Sequence, residues 1–312
     1  MQAQAVEQTF IETALSLGFD LAAIAPISLP EKDTTAFKDF VAEGRHGTME
    51  YLARNLELRL DPRSLMHDAK SALVLGSFYR TPESDAALEN ARVKIARYAH
   101  TGEYHDLLRE RGRKLGRALK QKLPGLRCRF CIDTAPLAER VLGRLAGLGF
   151  QGKNTNLIHP GRGSFFFISV LLIGQELKPG VPALDRCGSC RICIDACPTG
   201  ALTEYKIDAR KCISYLTIER RSPMPDELRP HVQGWMFGCD VCQEVCPYNR
   251  TASYGAGWPS PDPGVVRLME SASEESLEDA RANTPLGRPP LDLLKQSLQI
   301  AKESLDYLSE KI

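Results

Sequence analysis
A chain of 312 residues, 43% hydrophobic and 25% charged, has the composition of a soluble globular protein with room for two domains or one large domain with an insert. Its net charge of +1 offers no global attraction to nucleic acid or membrane. The longest apolar run, Phe165–Gly174, has half the length of a membrane span, and the N-terminus lacks the basic head and apolar stretch of a signal peptide, so a cytoplasmic protein with no membrane partner is expected.

In chain order, periodicity predicts helices near Val6–Leu17 and Thr35–Ala42, a strand at Ala72–Ser77 and a long helix at Tyr104–Lys122. A strand at Leu126–Ile132, a helix at Leu137–Leu148 and a strand at Ser164–Ile173 follow. That alternation favours an α/β (α+β) domain over residues 1–180, built on a mixed or parallel sheet. No glycine-rich dinucleotide loop and no phosphate loop accompanies it, and the "GRGSF" stretch at Gly161 reads as a turn before a strand. Cys128 and Cys131, three apart on a strand, fall on opposite faces and read as two buried thiols. Asp133 ends that strand and precedes a helix; it reads as a helix N-cap or as a catalytic acid, and the two roles are compatible.

Between Arg92 and Arg129 twelve Lys or Arg face three acids, a local excess of +9. This is either a solvated helix face or a phosphate-backbone footprint, for which Lys114, Arg117 and Lys120 are the candidate contacts. Residues 253–312 read as a Pro/Gly-rich linker, an acidic segment and one helix, Leu291–Leu308, with Leu294, Leu298, Ala301 and Leu305 on one face.

Eight of the ten cysteines lie between Cys187 and Cys246. In a reducing compartment such clustering points to metal ligation rather than disulfides. Cys187, Cys190, Cys193 and Cys197, followed by Pro198, have the spacing of the bacterial two-cluster ferredoxin run, in which the fourth cysteine serves the other cluster. The second run, Cys239, Cys242 and Cys246 before Pro247, lacks one ligand, and Cys212 is the natural candidate. Cys187, Cys190, Cys193 and Cys246 would then hold one [4Fe–4S] cluster, and Cys197, Cys212, Cys239 and Cys242 the other, in a ferredoxin-like domain over 181–252. Zinc, or a single cluster with spare thiols, is the competing reading, but neither explains a Cys-Pro after each run. Two clusters form a relay, and the residues before Cys187 should hold the acceptor.

With "ARYAHTGEYHDLLRERG", "IDTAPLAERVLGRLAGLGFQGKNTNLI", "GSFFFIS", "KCISYLT" and "GCDVCQEVCPYN", the sequence resembles the epoxyqueuosine reductases of tRNA modification. The resemblance implies an N-terminal cobalamin-binding domain followed by the two-cluster domain, acting on tRNA that bears epoxyqueuosine at the wobble position and removing the epoxide oxygen as water. It implies that Asp133 is the proton donor and that Arg59, Ala96, Asp133, Leu157, Ile168 and Ser214 contact the corrin, Ala96 only through its backbone. An external low-potential reductant is implied as well, and a monomer is expected. A carboxyl buried against a corrin should be held protonated by desolvation. No D-x-H-x-x-G occurs, so cobalamin is expected to bind without a histidine ligand. Longer family members continue into a HEAT-like repeat, which the segment after residue 252 lacks. The alternatives are a reductive dehalogenase-like cobalamin enzyme acting on a small molecule, which leaves the basic field unexplained, and a ferredoxin-type electron carrier, which would contain no corrin.

Overall fold
The computed structural model describes residues 2–309, with side chains from Val6 onward. At its centre lies a four-stranded sheet in the order Leu21–Pro26, Ser71–Phe78, Phe166–Ile173, Cys128–Cys131, antiparallel at every junction. This corrects the expected mixed or parallel sheet. The sheet is covered on both faces, so Ser71–Phe78 is buried along its whole length and reads as the continuous apolar run usual for a parallel strand. Leu73, Leu75, Leu171 and Ile173 face Phe10 and Ala14 of helix Gln2–Ser16 and Leu115 and Leu119 of helix Tyr104–Lys122. Ala72, Val74, Val170 and Leu172 face Leu142 and Leu145 of helix Glu139–Leu145. Cys128 and Cys131 divide between the two faces, as their spacing requires.

The register opposes Phe78 to Phe166 and Cys131 to Val170. The carboxyl ends of Ser71–Phe78 and Cys128–Cys131 therefore share one edge of the sheet with the start of Phe166–Ile173, and the site forms there.

The iron–sulfur segment is tied into the first half of the chain: Trp235–Phe237 pairs in parallel with Lys94–Ile95. Behind this pair the C-terminal segment holds more than a linker and one helix. Helices Pro263–Ser271 and Glu275–Arg281 precede Leu291–Ser309. Val265, Leu268, Met269, Leu277, Leu286, Leu294 and Leu298 share a core with Val93, Ile95, Met236 and Phe237. The "SPDPG" stretch that reads as linker is a helix start, with the Asp262 side chain accepting from the N–H groups of Gly264 and Val265. Among the described residues, no helix is long and apolar enough to cross a membrane.

Candidate active site
Helix Tyr104–Lys122 rides flush on strand Cys128–Cys131, because a Cβ at Gly112 would stand 2.3 Å from the Phe130 ring. That contact brings the first residues of the helix level with Asp133. Asp133 does not cap the next helix, whose N-cap position is Ala138. Its carboxylate instead accepts from the Tyr104 hydroxyl at Oδ2 and from His105 Nε2 at Oδ1, 2.5 Å away. The other ring nitrogen of His105, Nδ1, donates to Glu103, which also accepts the His105 backbone N–H at 3.2 Å.

An imidazole between two carboxylates can donate from both nitrogens only as the imidazolium. Burial pushes the His105 pKa down, but Asp133 and Glu103 outweigh it and raise it above the usual 6.5. Burial likewise pushes Asp133 up, yet the hydrogen bonds from His105 and Tyr104 prevail and hold it below 3.8. In the protein without a corrin, hydrogen bonding to the charged form outweighs burial at Asp133 and favours the proton on His105; the expectation of a protonated carboxyl concerns the carboxyl covered by a corrin.

Asp133 projects into a cavity of about 1090 Å³ whose walls include Tyr51, Arg59, Tyr98, Phe167, Glu219 and Arg288. A second cavity of about 460 Å³ shares Tyr51, Arg59 and Glu219 with the first. A third, of about 240 Å³, shares Tyr98 with the first and Cys212 and Ser214 with the second. Arg59 and Ser214 thus line adjoining cavities, and Ala96, 1% exposed, lines the third. Leu157 and Ile168 line none of the three; their side chains pack in the core beside helix Glu139–Leu145. Three buried polar atoms of wall residues have no partner among the described residues, Arg59 Nε, Glu139 Oε1 and Arg281 Nε. Burial pushes Glu139 up to about 8, with Asp133 adding to the shift. A large ligand fringed with hydrogen-bonding groups, as a corrin is with amides, fits such walls.

The mutual influence of the eight cysteines runs mostly within the two expected sets. Burial raises the Cys193 thiol to about 11, with Cys246, Cys187 and Cys190 adding to the shift. Burial also raises Cys239, with Cys212 and Cys242 adding, and it raises Cys242, with Cys212 and Cys197 adding. Groups that perturb one another in this pattern are neighbours, and thiols so raised become ligands only when a metal displaces their protons. Cys193 also acts on Cys242, which places the sets side by side as a relay needs. The residues fit two clusters.

Of the twelve cations in the basic field, Arg97 and Arg127 pair with acids from outside the segment. Arg97 is buried among Asp85, Asp240 and Glu244. Glu110 lies 2.8 Å from Arg113 and 3.8 Å from both Lys114 and Arg117. Lys114, Arg117 and Lys120 are exposed, about 14–22 Å along the helix from His105 at 1.5 Å per residue.

Sequence reasoning assigned no role to Glu103, Tyr104, His105, Glu139 or Arg288. A signal existed for the first three, since "GEYH" places consecutive acid, phenol and imidazole at a helix start. None existed for Arg288, which reaches the cavity from the C-terminal segment and pairs with Glu219 at 2.7 Å.

An acid at the wall of a large cavity, joined to two four-cysteine sets, defines a two-cluster iron–sulfur oxidoreductase. The family model for epoxyqueuosine reductase QueG, DUF1730, matches residues 59–134, and that for a 4Fe-4S double cluster binding domain matches 186–249. An epoxyqueuosine reductase from Leadbetterella byssophila is 35% identical over 293 residues, 93% of this chain and 96% of that protein. The chain belongs to the epoxyqueuosine reductase family. A crystal structure of epoxyqueuosine reductase with an epoxyqueuosine-modified tRNA-Tyr stem loop superposes at a TM-score of 0.83, with 26% identity, covering 99% of this chain and 85% of that one. The Bacillus subtilis epoxyqueuosine reductase, solved with a catalytic aspartate loop swung out of its active site, superposes at 0.81 with 25% identity, covering 99% and 84%.

Proposed function
We propose that this protein reduces epoxyqueuosine to queuosine at the wobble position of tRNA, with cobalamin across the three cavities and Asp133 delivering a proton to the epoxide oxygen. The observation that carries this reading is the Asp133 carboxylate on the wall of a cavity that shares lining residues with two others, both lined by Cys212. A bare electron carrier needs no such cavity, and family membership favours the tRNA substrate over a small molecule. When bound, cobalamin supplies electrons to the epoxide carbon. The net change takes up two electrons and two protons, breaks both bonds to the epoxide oxygen and releases water.

Arg59 and Glu139 offer polar atoms to the rim of the cofactor, with Ser214 and the backbone at Ala96 toward the clusters. The contacts assigned to Leu157 and Ile168 need the backbone, because their side chains are committed to the core. Cys187, Cys190, Cys193 and Cys246 hold one [4Fe–4S] cluster, and Cys197, Cys212, Cys239 and Cys242 hold the other. Asp133 receives its proton from His105 as the oxygen approaches. Glu103 holds the imidazole in line, and Tyr104 fixes the second carboxylate oxygen. Lys114, Arg117 and Lys120 contact tRNA phosphates.

The test is anaerobic: cluster-loaded protein, cobalamin, a strong reductant and epoxyqueuosine-containing tRNA, with mass analysis of the digested nucleosides. Loss of one oxygen mass only when cobalamin is present is the expected result. No change with clusters and cobalamin both verified overturns the substrate assignment.

A further inference from the structure
Resting on that reading, we infer that the segment Val181–Ile192 is the docking face for a small acidic one-electron carrier protein, and that electrons enter at the cluster held by Cys187, Cys190, Cys193 and Cys246. The two cysteine sets differ in what they face. All four members of the Cys197, Cys212, Cys239, Cys242 set line the third cavity, whereas none of the other set lines any of the three. The first set is therefore the exit toward the site, and the second, carried on a surface segment, is the entrance.

That segment displays apolar side chains with nothing over them. Val181 is 84% exposed, Leu184 82% and Ile192 43%, and all three lie within six residues of a ligand of the entrance cluster. The display is fixed by anchors. Gly180 N–H donates to Ile24 O at 2.8 Å, Ala183 N–H to Arg144 O at 3.2 Å and Cys187 N–H to Asp185 at 2.8 Å. A Cβ at Gly147, whose φ is +83°, would lie 2.4 Å from the carbonyl oxygen of Val181. A rigid apolar patch rimmed by charge is the usual form of a transient protein contact.

The rim selects the partner. Arg186 is exposed and forms no ion pair among the described residues, and Arg191 meets Asp195 only at 3.6 Å. Asp185 is engaged by the Tyr205 hydroxyl and the Cys187 N–H. The arginines suit carboxylates on a partner and steer its approach. Each encounter oxidises the carrier by one electron and reduces the entrance cluster by one, so two encounters serve one epoxide.

A flavodoxin serves as the probe, with cluster-loaded protein, calorimetry for binding and stopped-flow absorbance for cluster reduction. In the double variant Val181→Glu, Leu184→Glu, reduction by dithionite should keep its rate, while binding of flavodoxin and reduction by it should each fall roughly tenfold or more. Arg186→Ala with Arg191→Ala should flatten the salt dependence of the flavodoxin rate. Unchanged flavodoxin kinetics in the double variant, or no flavodoxin binding to the parent protein, overturns the inference. So does a parent dimer that the double variant dissociates in sedimentation, since the patch is then a self-association face. If the double variant also loses dithionite reduction, the milder Leu184→Ser decides on the same criteria. Failure of the substrate reading looks different: flavodoxin reduces the clusters normally and the tRNA stays unconverted.

Discussion

At the residue scale, the side chains around Asp133 divide one task. A carboxylate held below its ordinary pKa is a poor acid alone, so in the proposed reaction the proton that Asp133 delivers comes from the imidazolium beside it. Asp133→Asn should retain clusters and cobalamin in their absorption spectra and lose about 10²- to 10⁴-fold in turnover, the usual contribution of a general acid; full activity would remove Asp133 from the chemistry. His105 sets the pH dependence. Its pKa is raised in the folded protein, so the charged form and the stability of its ion pairs are fully present below 6.5 and are lost as pH rises through the raised value. The profile of kcat/KM should therefore fall on the alkaline side above 6.5, and His105→Gln should abolish that limb. A limb that persists in the variant assigns it to another group.

At the scale of elements, the contact at Gly112 couples packing to catalysis, because the same helix carries Tyr104 and His105. Gly112→Val puts side-chain atoms into the Phe130 ring and should cost about 1–3 kcal/mol of stability, read from the denaturant midpoint, while lowering turnover more than a surface change of that cost. Cys212→Ala should leave about four irons per chain instead of about eight in metal analysis. Much at this scale was legible in the sequence. The long helix and the strand before Asp133 have clear periods, and the cysteine spacing carries the chemistry of the clusters directly. The strand directions were not legible, because a sheet covered on both faces loses the alternation that marks antiparallel strands. Helices Pro263–Ser271 and Glu275–Arg281 were missed for another reason. They are short, and Pro263 and Gly264, which read as linker, are in fact the first turn of a helix capped by Asp262.

At the scale of the whole molecule, the site is closed by parts far apart in sequence. Arg59, Asp133, Glu219 and Arg288 meet on one cavity, and no local pattern announces such a meeting. Charge behaves in the same way, since within the excess between Arg92 and Arg129 the fold pairs Arg97 and Arg127 with acids far away in sequence. What remains exposed can be weighed against tRNA. Replacing Lys114, Arg117 and Lys120 together by Ala should lower the slope of log affinity against log salt by about two if all three meet single-stranded phosphates; an unchanged slope returns them to a solvated face shared with Glu110.

The pairing of Lys94–Ile95 with Trp235–Phe237 also governs how the protein is made. A ribosome releases the first strand long before its partner exists, and the last cysteine, Cys246, before helix Leu291–Ser309 can seat against Trp235–Phe237. At about 5–20 residues per second, the 45 residues from Cys246 to Leu291 take roughly 2–9 s to synthesise. In that interval every thiol is present and the strand beside Cys239 is still uncovered, which makes it the natural window for iron and sulfide to be loaded. A cell short of iron would finish the chain with its thiols gathered and no cluster between them.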